Sequence, residues 1–84
     1  MSDSLSVEVL LFARYAELIG RDQLTIAVPV GSTVADVIAM IRNYPGGNSI
    51  PEEPAVACNA KLIKPGTPVQ TGDLIALLPP FAGG

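Results

Sequence analysis

This 84-residue sequence contains no histidine, no tryptophan and a single cysteine, Cys58. Without histidine there is no catalytic triad built on an imidazole base, and without a Cys/His cluster there is no typical zinc site. One cysteine cannot form an internal disulfide, which is typical of a reducing compartment. Because Cys58 lies in an apolar segment, we predict a small buried hydrophobe rather than a nucleophile. If the chain takes part in catalysis, we expect a partner to supply most of the acid–base groups.

Positive charge is also scarce. The five basic residues are scattered along the chain, and the formal net charge is −3. This pattern lacks the basic patch of nucleic-acid-binding proteins, so we predict no nucleic-acid partner. No apolar run approaches the ~18 residues of a membrane span, and residues 1–4 lack the basic region of an export signal. We therefore expect a cytoplasmic protein with no membrane partner.

Hydrophobic residues are abundant instead, at 49% of the chain, whereas charged residues make up only 15%. A chain of this length forms one small domain that buries roughly 60–65% of its unfolded surface. Some of the apolar excess must then be exposed, and exposed apolar patches on small proteins usually mark a partner surface.

The first half of the sequence predicts two strands and a helix. In residues 5–12, the odd-numbered positions are apolar and form one strand face. Leu10 and Phe12 lie on the second face and make its later half apolar as well. This half is therefore either covered by the domain or open to a partner. Residues 13–20 form a link of about one helical turn, and residues 21–23 form a turn. Apolar residues then alternate at 24, 26 and 28, in a second strand that ends at Pro29.

Residues 33–43 carry the clearest helical pattern. Thr33 is a suitable N-cap, and Asp36 suits the positive end of the helix dipole. The apolar residues of this segment recur with helical spacing and form one stripe: Val34, Val37, Ile38 and Ile41. Arg42 lies in the last turn, and residues 44–47, which include Pro45, end the helix.

The second half predicts short strands. We expect a polar loop over residues 48–54, strands at 55–58 and 62–63, turns at 65–68 and 71–73, and a final strand at 74–78. This order suits an α+β fold with one main helix across one face of a mixed sheet of about four to five strands. The last strand can then lie parallel to the first after the helical crossover.

The end of the sequence is unusual because residues 74–84 carry no ionisable side chain. Pro79 and Pro80 stiffen the backbone, and Gly83 and Gly84 leave a thin tail that can enter a narrow channel. Such a segment, about 79–84, is predicted to be a flexible tail that presents the Gly84 carboxylate as a reagent. The alternative is an ordinary fraying terminus.

These features together resemble the ubiquitin-like β-grasp sulfur carriers, and above all the MoaD family, the small subunits of molybdopterin synthase. The resemblance covers most of residues 1–84, which we predict to be one β-grasp domain. The segments that carry it are Leu11-Phe12-Ala13-Arg14, Thr33-Val34-Ala35-Asp36-Val37, Ala57-Cys58-Asn59 and Pro79-Pro80-Phe81-Ala82-Gly83-Gly84. Leu77 and Leu78 depart from it, since the family has two aromatic residues there; the sequence leaves open whether these leucines are exposed.

The resemblance implies a function for the tail. In the family, an E1-like (MoeB-like) adenylating enzyme uses ATP on the terminal glycine, and sulfur then replaces the adenylate to give a thiocarboxylate. Gly84 would be that site. Gly83, which has no side chain, would let the tail enter a narrow channel, and Phe81 would anchor the tail. Phe12 and Leu78 would face the large synthase subunit, which supplies the catalytic side chains and delivers the sulfur to cyclic pyranopterin monophosphate. The resemblance implies no bound cofactor, because ATP is consumed by the activating partner.

Three other functions remain open at this point. A sulfur carrier for thiamine or tRNA thiolation would use the same activation with another acceptor. A ubiquitin-like modifier would join Gly84 to a target lysine, and Lys61 and Lys64 could then be acceptors. A β-grasp binding module would not need the terminal glycines at all.

Overall fold

The computed structural model describes residues 3–52 and 54–79. The predicted tail residues Phe81, Gly83 and Gly84 lie outside the described residues. Within these ranges the chain forms, in order, β1 (Ser4–Leu11), α1 (Ala13–Ile19), β2 (Gln23–Pro29), α2 (Val34–Arg42), a 3₁₀ turn (Gly47–Ser49), β3 (Ala55–Cys58), β4 (Lys61–Leu62) and β5 (Leu74–Leu78).

The strands form one mixed sheet in the order β2-β1-β5-β3-β4. β1 pairs antiparallel with β2 and parallel with β5, while β3 pairs antiparallel with both β5 and β4. The parallel pair requires a long connection, and α2 lies within it. The predicted α+β fold, with the last strand parallel to the first, is therefore confirmed.

One face of the sheet packs against the helices and forms a single core. Strand side chains alternate between the two faces, so every second residue of β1, β2 and β5 enters this core. Its strand members are Val7, Val9, Leu11, Leu24, Ile26, Val28, Val56, Ile75 and Leu77. The predicted stripe of α2 is buried against them, together with Tyr15 of α1. In the described ranges, no helix is long and apolar enough to cross a membrane.

Hydrogen bonds define both ends of α2, and the predicted cap residues Thr33 and Asp36 form the first of them. The Asp36 carboxylate accepts from the backbone N–H of Thr33 at 2.8 Å and from its hydroxyl at 3.3 Å. At the other end, Nε of Arg42 donates to the carbonyl of Ile50 at 2.7 Å. This bond ties the segment after α2 back to the helix and helps to bring Ile50 into the core.

The turn between α2 and the rest of the chain needs two glycines. Gly46 has a φ of +88°, in the left-handed region that favours glycine. A Cβ at Gly46 would overlap the carbonyl oxygen of Leu18, and one at Gly47 would overlap that of Ile41. The segment therefore passes close to the ends of both helices, where only a hydrogen atom fits.

Four local expectations were wrong. The link after β1 is a two-turn helix, α1, rather than a single turn, and it ends at Gly20 with φ +84°. Gln23 belongs to β2 and not to the preceding turn, and β4 lies one residue earlier than predicted. Finally, the loop at 48–54 is not wholly polar, because Ile50 is buried.

Candidate functional site

The C-terminal end of β5 lies beside the end of β1. Because the two strands are parallel, their carboxyl ends meet at the same edge of the sheet, and Leu11 is paired with Leu77. Phe12 follows β1 with extended backbone angles, φ −119° and ψ 151°. Phe12 and Leu78 therefore lie at the same edge, Phe12 directly after β1 and Leu78 as the last residue of β5. The described end of β5 thus lies at the same edge of the sheet as the exposed Phe12 side chain.

The beginning of β5 is anchored by a polar network. The Asn59 side chain accepts from the backbone N–H of Leu74 at 3.1 Å and donates to the Asp73 carboxylate at 3.3 Å. The other Asp73 oxygen accepts from the backbone N–H of Gln70 at 2.8 Å. These bonds hold the turn at 71–73, where Gly72 has a φ of +86°. They fix the register of β5 and hence the point at which the chain leaves the sheet.

The sheet face opposite the helices, which we call the open face, is mainly apolar. Strand alternation assigns to it Ser6, Glu8, Leu10, Gln23, Thr25, Ala27, Ala55, Ala57, Leu62, Leu74, Ala76 and Leu78. None of these side chains belongs to the core cluster that contains residues of both helices. The exposed fractions are 75% for Leu62 and 40% for Leu74, and Phe12 at the edge is 44% exposed. An apolar surface of this kind is typical of a partner-binding site.

The two predicted partner-facing residues both lie outside the core. Phe12 is exposed, and Leu78 is half-buried on the open face. Leu77, its neighbour, is fully buried at 0% exposure among the core residues. The structure thus answers the question that the sequence left open: of the two leucines, only Leu78 contributes to the surface.

Glu8 is the one ionisable residue on the open face as defined by the described strands. Its carboxylate accepts hydrogen bonds from Nε2 of Gln23 and from the hydroxyl of Thr25, each at 2.9 Å. Both donors come from β2, so the carboxylate is held in one orientation above the sheet. The bonds from Gln23 and then Thr25 lower the pKa of Glu8 below its ordinary value. Glu8 is therefore ionised at neutral pH.

Cys58 is half-buried and packs against the core. Burial, and after it the nearby Asp73 carboxylate, raise the pKa of its thiol. A thiol with a raised pKa is a weak nucleophile at neutral pH. The thiol is thus half-buried rather than fully buried as expected, and its contact with the core supports the expected structural role.

The sequence singled out Phe12 and Leu78 as candidates, and the structure places both outside the core; it gave no prediction for Glu8 and Leu62, which lie on the open face. The available signal was that apolar residues occupy both faces of β1 and β5, although a small domain can cover only one. Throughout the described ranges, no cluster of three His, Cys, Asp or Glu residues could hold a metal ion.

Comparisons with known proteins agree with this architecture. Residues 9–84 match the model of the ThiS family. The chain is 32% identical over 84 residues to a molybdopterin synthase sulfur carrier subunit of Arabidopsis thaliana, covering 99% of this chain and 88% of that protein.

Two solved structures are similar to the fold. The small archaeal modifier protein SAMP1 from Haloferax volcanii has a TM-score of 0.81 at 30% identity, over 94% of this chain and 99% of that one. The second is a chain in the complex of subunits 1 and 2 of the molybdopterin-converting factor from Helicobacter pylori. It has a TM-score of 0.70 at 30% identity, over 95% of this chain and 100% of that one. These similarities confirm the predicted β-grasp fold and the predicted resemblance. The chain belongs to the ThiS family.

Proposed function

We propose that this chain is the sulfur carrier subunit of a molybdopterin synthase and acts in molybdenum cofactor biosynthesis. The observation that carries the proposal is the similarity to molybdopterin synthase sulfur carrier subunits over almost the whole chain. The parallel β1–β5 pair supports it, because this pair fixes where β5 ends, directly before Pro79. The single cysteine is consistent with action in the cytoplasm.

The reagent is the carboxylate of Gly84. A carboxylate is a poor electrophile, since its leaving group would be oxide, and it must first be activated. An E1-like adenylating enzyme joins a Gly84 oxygen to the α-phosphorus of ATP and releases pyrophosphate. Sulfur at the oxidation level of hydrosulfide then attacks the acyl carbon, AMP leaves, and a proton passes to solvent. The product is the Gly84 thiocarboxylate, and ATP is consumed by the partner rather than bound as a cofactor.

The large synthase subunit binds the open face and receives the tail. Phe12 and Leu78 lie where β1 and β5 end, so a partner that contacts them also meets the exit of the tail. Gly83 provides a thin approach, and Phe81 anchors the tail by apolar contact. Because the sequence has no histidine, the large subunit supplies the groups that transfer sulfur to cyclic pyranopterin monophosphate.

A second candidate is a ubiquitin-like protein modifier. The similarity to the Haloferax volcanii protein SAMP1, a small archaeal modifier protein, favours it. Both candidates begin with activation of Gly84, but the acyl group then goes either to sulfur or to a lysine amine. A carrier for thiamine or tRNA thiolation would share the thiocarboxylate and differ only in the acceptor.

Reconstitution with the large subunit tests the proposal. The thiocarboxylated chain is mixed with the large subunit and cyclic pyranopterin monophosphate, and molybdopterin is measured as its fluorescent oxidation product. The unmodified carboxylate form and a chain without Gly84 are the controls. We expect product only with the thiocarboxylate. Absence of product, together with lysine conjugates in cell extract, would favour the modifier.

A further inference from the structure

The Glu8 carboxylate is a negative charge among apolar side chains on the open face. Among the described strand residues of this face, Glu8 alone is ionisable, and its neighbours in register are Thr25 on β2 and Leu74 on β5. Leu10 and Leu74 flank it with apolar surface. A partner that covers the leucines therefore also removes water from the Glu8 carboxylate.

The Glu8 carboxylate is preorganised by two hydrogen bonds. Gln23 and Thr25 each donate one hydrogen bond, to different oxygens, and hold the group in place. These two bonds leave lone pairs on both oxygens, since a carboxylate accepts about four hydrogen bonds in all. A charge-assisted bond from a cation would use them, and little side-chain entropy would be lost because Glu8 is already ordered.

Covering the carboxylate without a cation would be unfavourable. Desolvation of an unpaired charge opposes binding, whereas a basic group opposite it restores the lost interaction. The net charge of −3 on this chain also favours a basic partner surface.

We propose that Glu8 is a specificity-determining residue of the docking surface, and that the partner presents an arginine or lysine side chain to it. The inference rests on the proposed function, in which that partner is the large synthase subunit. The apolar residues then provide contact area, while Glu8 fixes orientation and rejects partners that place an acidic or apolar group at this point.

Titration calorimetry of the full chain with the large subunit tests this inference. Glu8→Gln removes the charge but keeps the size and one acceptor oxygen. Glu17→Gln is the matched control, because Glu17 is an exposed residue of α1 on the helical side and the change in net charge is the same. We expect Glu8→Gln to weaken binding at least about tenfold and Glu17→Gln to change it less than about twofold. Glu8→Lys should weaken binding further than Glu8→Gln.

Salt dependence gives a second readout. Binding of the wild-type chain should weaken more steeply with salt than binding of Glu8→Gln, since the variant has lost one charge pair. Equal affinities of the wild-type and Glu8→Gln chains would overturn the inference, and so would equal losses for Glu8→Gln and Glu17→Gln. If the wild-type chain neither binds the large subunit nor transfers sulfur with it, the proposed function itself fails. Sulfur transfer by the wild-type chain, together with equal affinities of the two chains for the large subunit, would refute only the role of Glu8.

Discussion

Leu77 and Leu78 are adjacent in β5, and their side chains lie on opposite faces of the sheet. Leu77 is completely buried in the core, whereas Leu78 is half-buried on the open face and outside the core cluster. The same chemical change at the two positions should therefore affect different properties. We predict that Leu77→Ala lowers stability and that Leu78→Ala lowers partner affinity.

The expected magnitudes are well separated. Truncation of a fully buried leucine costs about 2–5 kcal/mol, which is a large part of the roughly 4–13 kcal/mol expected for a domain of this size. For such a domain, Leu77→Ala should lower Tm by at least about 10 °C. Leu78 is already partly exposed, so its truncation should cost about 1 kcal/mol of stability. Its loss from a partner interface should weaken binding about 5- to 30-fold.

Two measurements check the predictions for Leu77→Ala and Leu78→Ala. Denaturant unfolding gives the free energy of unfolding of each variant, and calorimetric titration with the large subunit gives the affinity of each folded chain. A Leu78→Ala chain as destabilised as Leu77→Ala would contradict the assignment of Leu78 to the open face. A Leu78→Ala chain that binds the large subunit as tightly as the wild-type chain would contradict its place in the interface.

Three further predictions concern the turns and the charge on the sheet. Ala60→Gly should stabilise the chain by up to about 1 kcal/mol in denaturant unfolding, since Ala60 has a φ of +74°, where a Cβ is unfavourable. Gly47→Ala should lower the free energy of unfolding by about 1–3 kcal/mol or more, because its Cβ would overlap the Ile41 carbonyl. Gly66→Ala is the control for that variant, since a Cβ there meets no atom within 4 Å. The folded-state pKa of Glu8 is lowered, so its stabilisation is present above the ordinary value of 4.5 and is lost as pH falls through the lower folded value. The difference in Tm between the wild-type chain and Glu8→Gln should therefore narrow between pH 7 and pH 3.

Each of these predictions has a clear contrary result. A destabilised Ala60→Gly chain would mean that the left-handed backbone at this turn is not a source of strain. Equal stabilities of Gly47→Ala and Gly66→Ala would contradict the close approach at the end of α2. A Tm difference that is constant with pH would show that the two hydrogen bonds to Glu8 do not depend on its charge.

The sequence predicted the elements whose signals are local. The cap formed by Thr33 and Asp36, with the apolar stripe that follows, was enough to place α2 within one residue at each end. The apolar odd-numbered positions of β1 and the alternation in β2 similarly identified their buried faces. In these segments, each residue's local preference agrees with its place in the fold.

Features that depend on distant contacts could not be predicted from the sequence. The burial of Ile50 depends on the bond from Arg42 to its carbonyl, and the need for Gly47 depends on the position of Ile41. Likewise, which of Leu77 and Leu78 enters the core depends on the register of β5 against β1. A shift of one residue would have exchanged the two, and no local signal fixes that register.

The central claim is that the chain carries sulfur on Gly84, and intact mass spectrometry tests it most directly. The chain is incubated with ATP, a sulfur source and the adenylating enzyme of the same cell, beside a control chain that lacks Gly84. We predict that the full chain gains the mass difference of one oxygen replaced by one sulfur, while the control keeps its mass. An unchanged full chain, with an enzyme that is active on another carrier, would contradict the account.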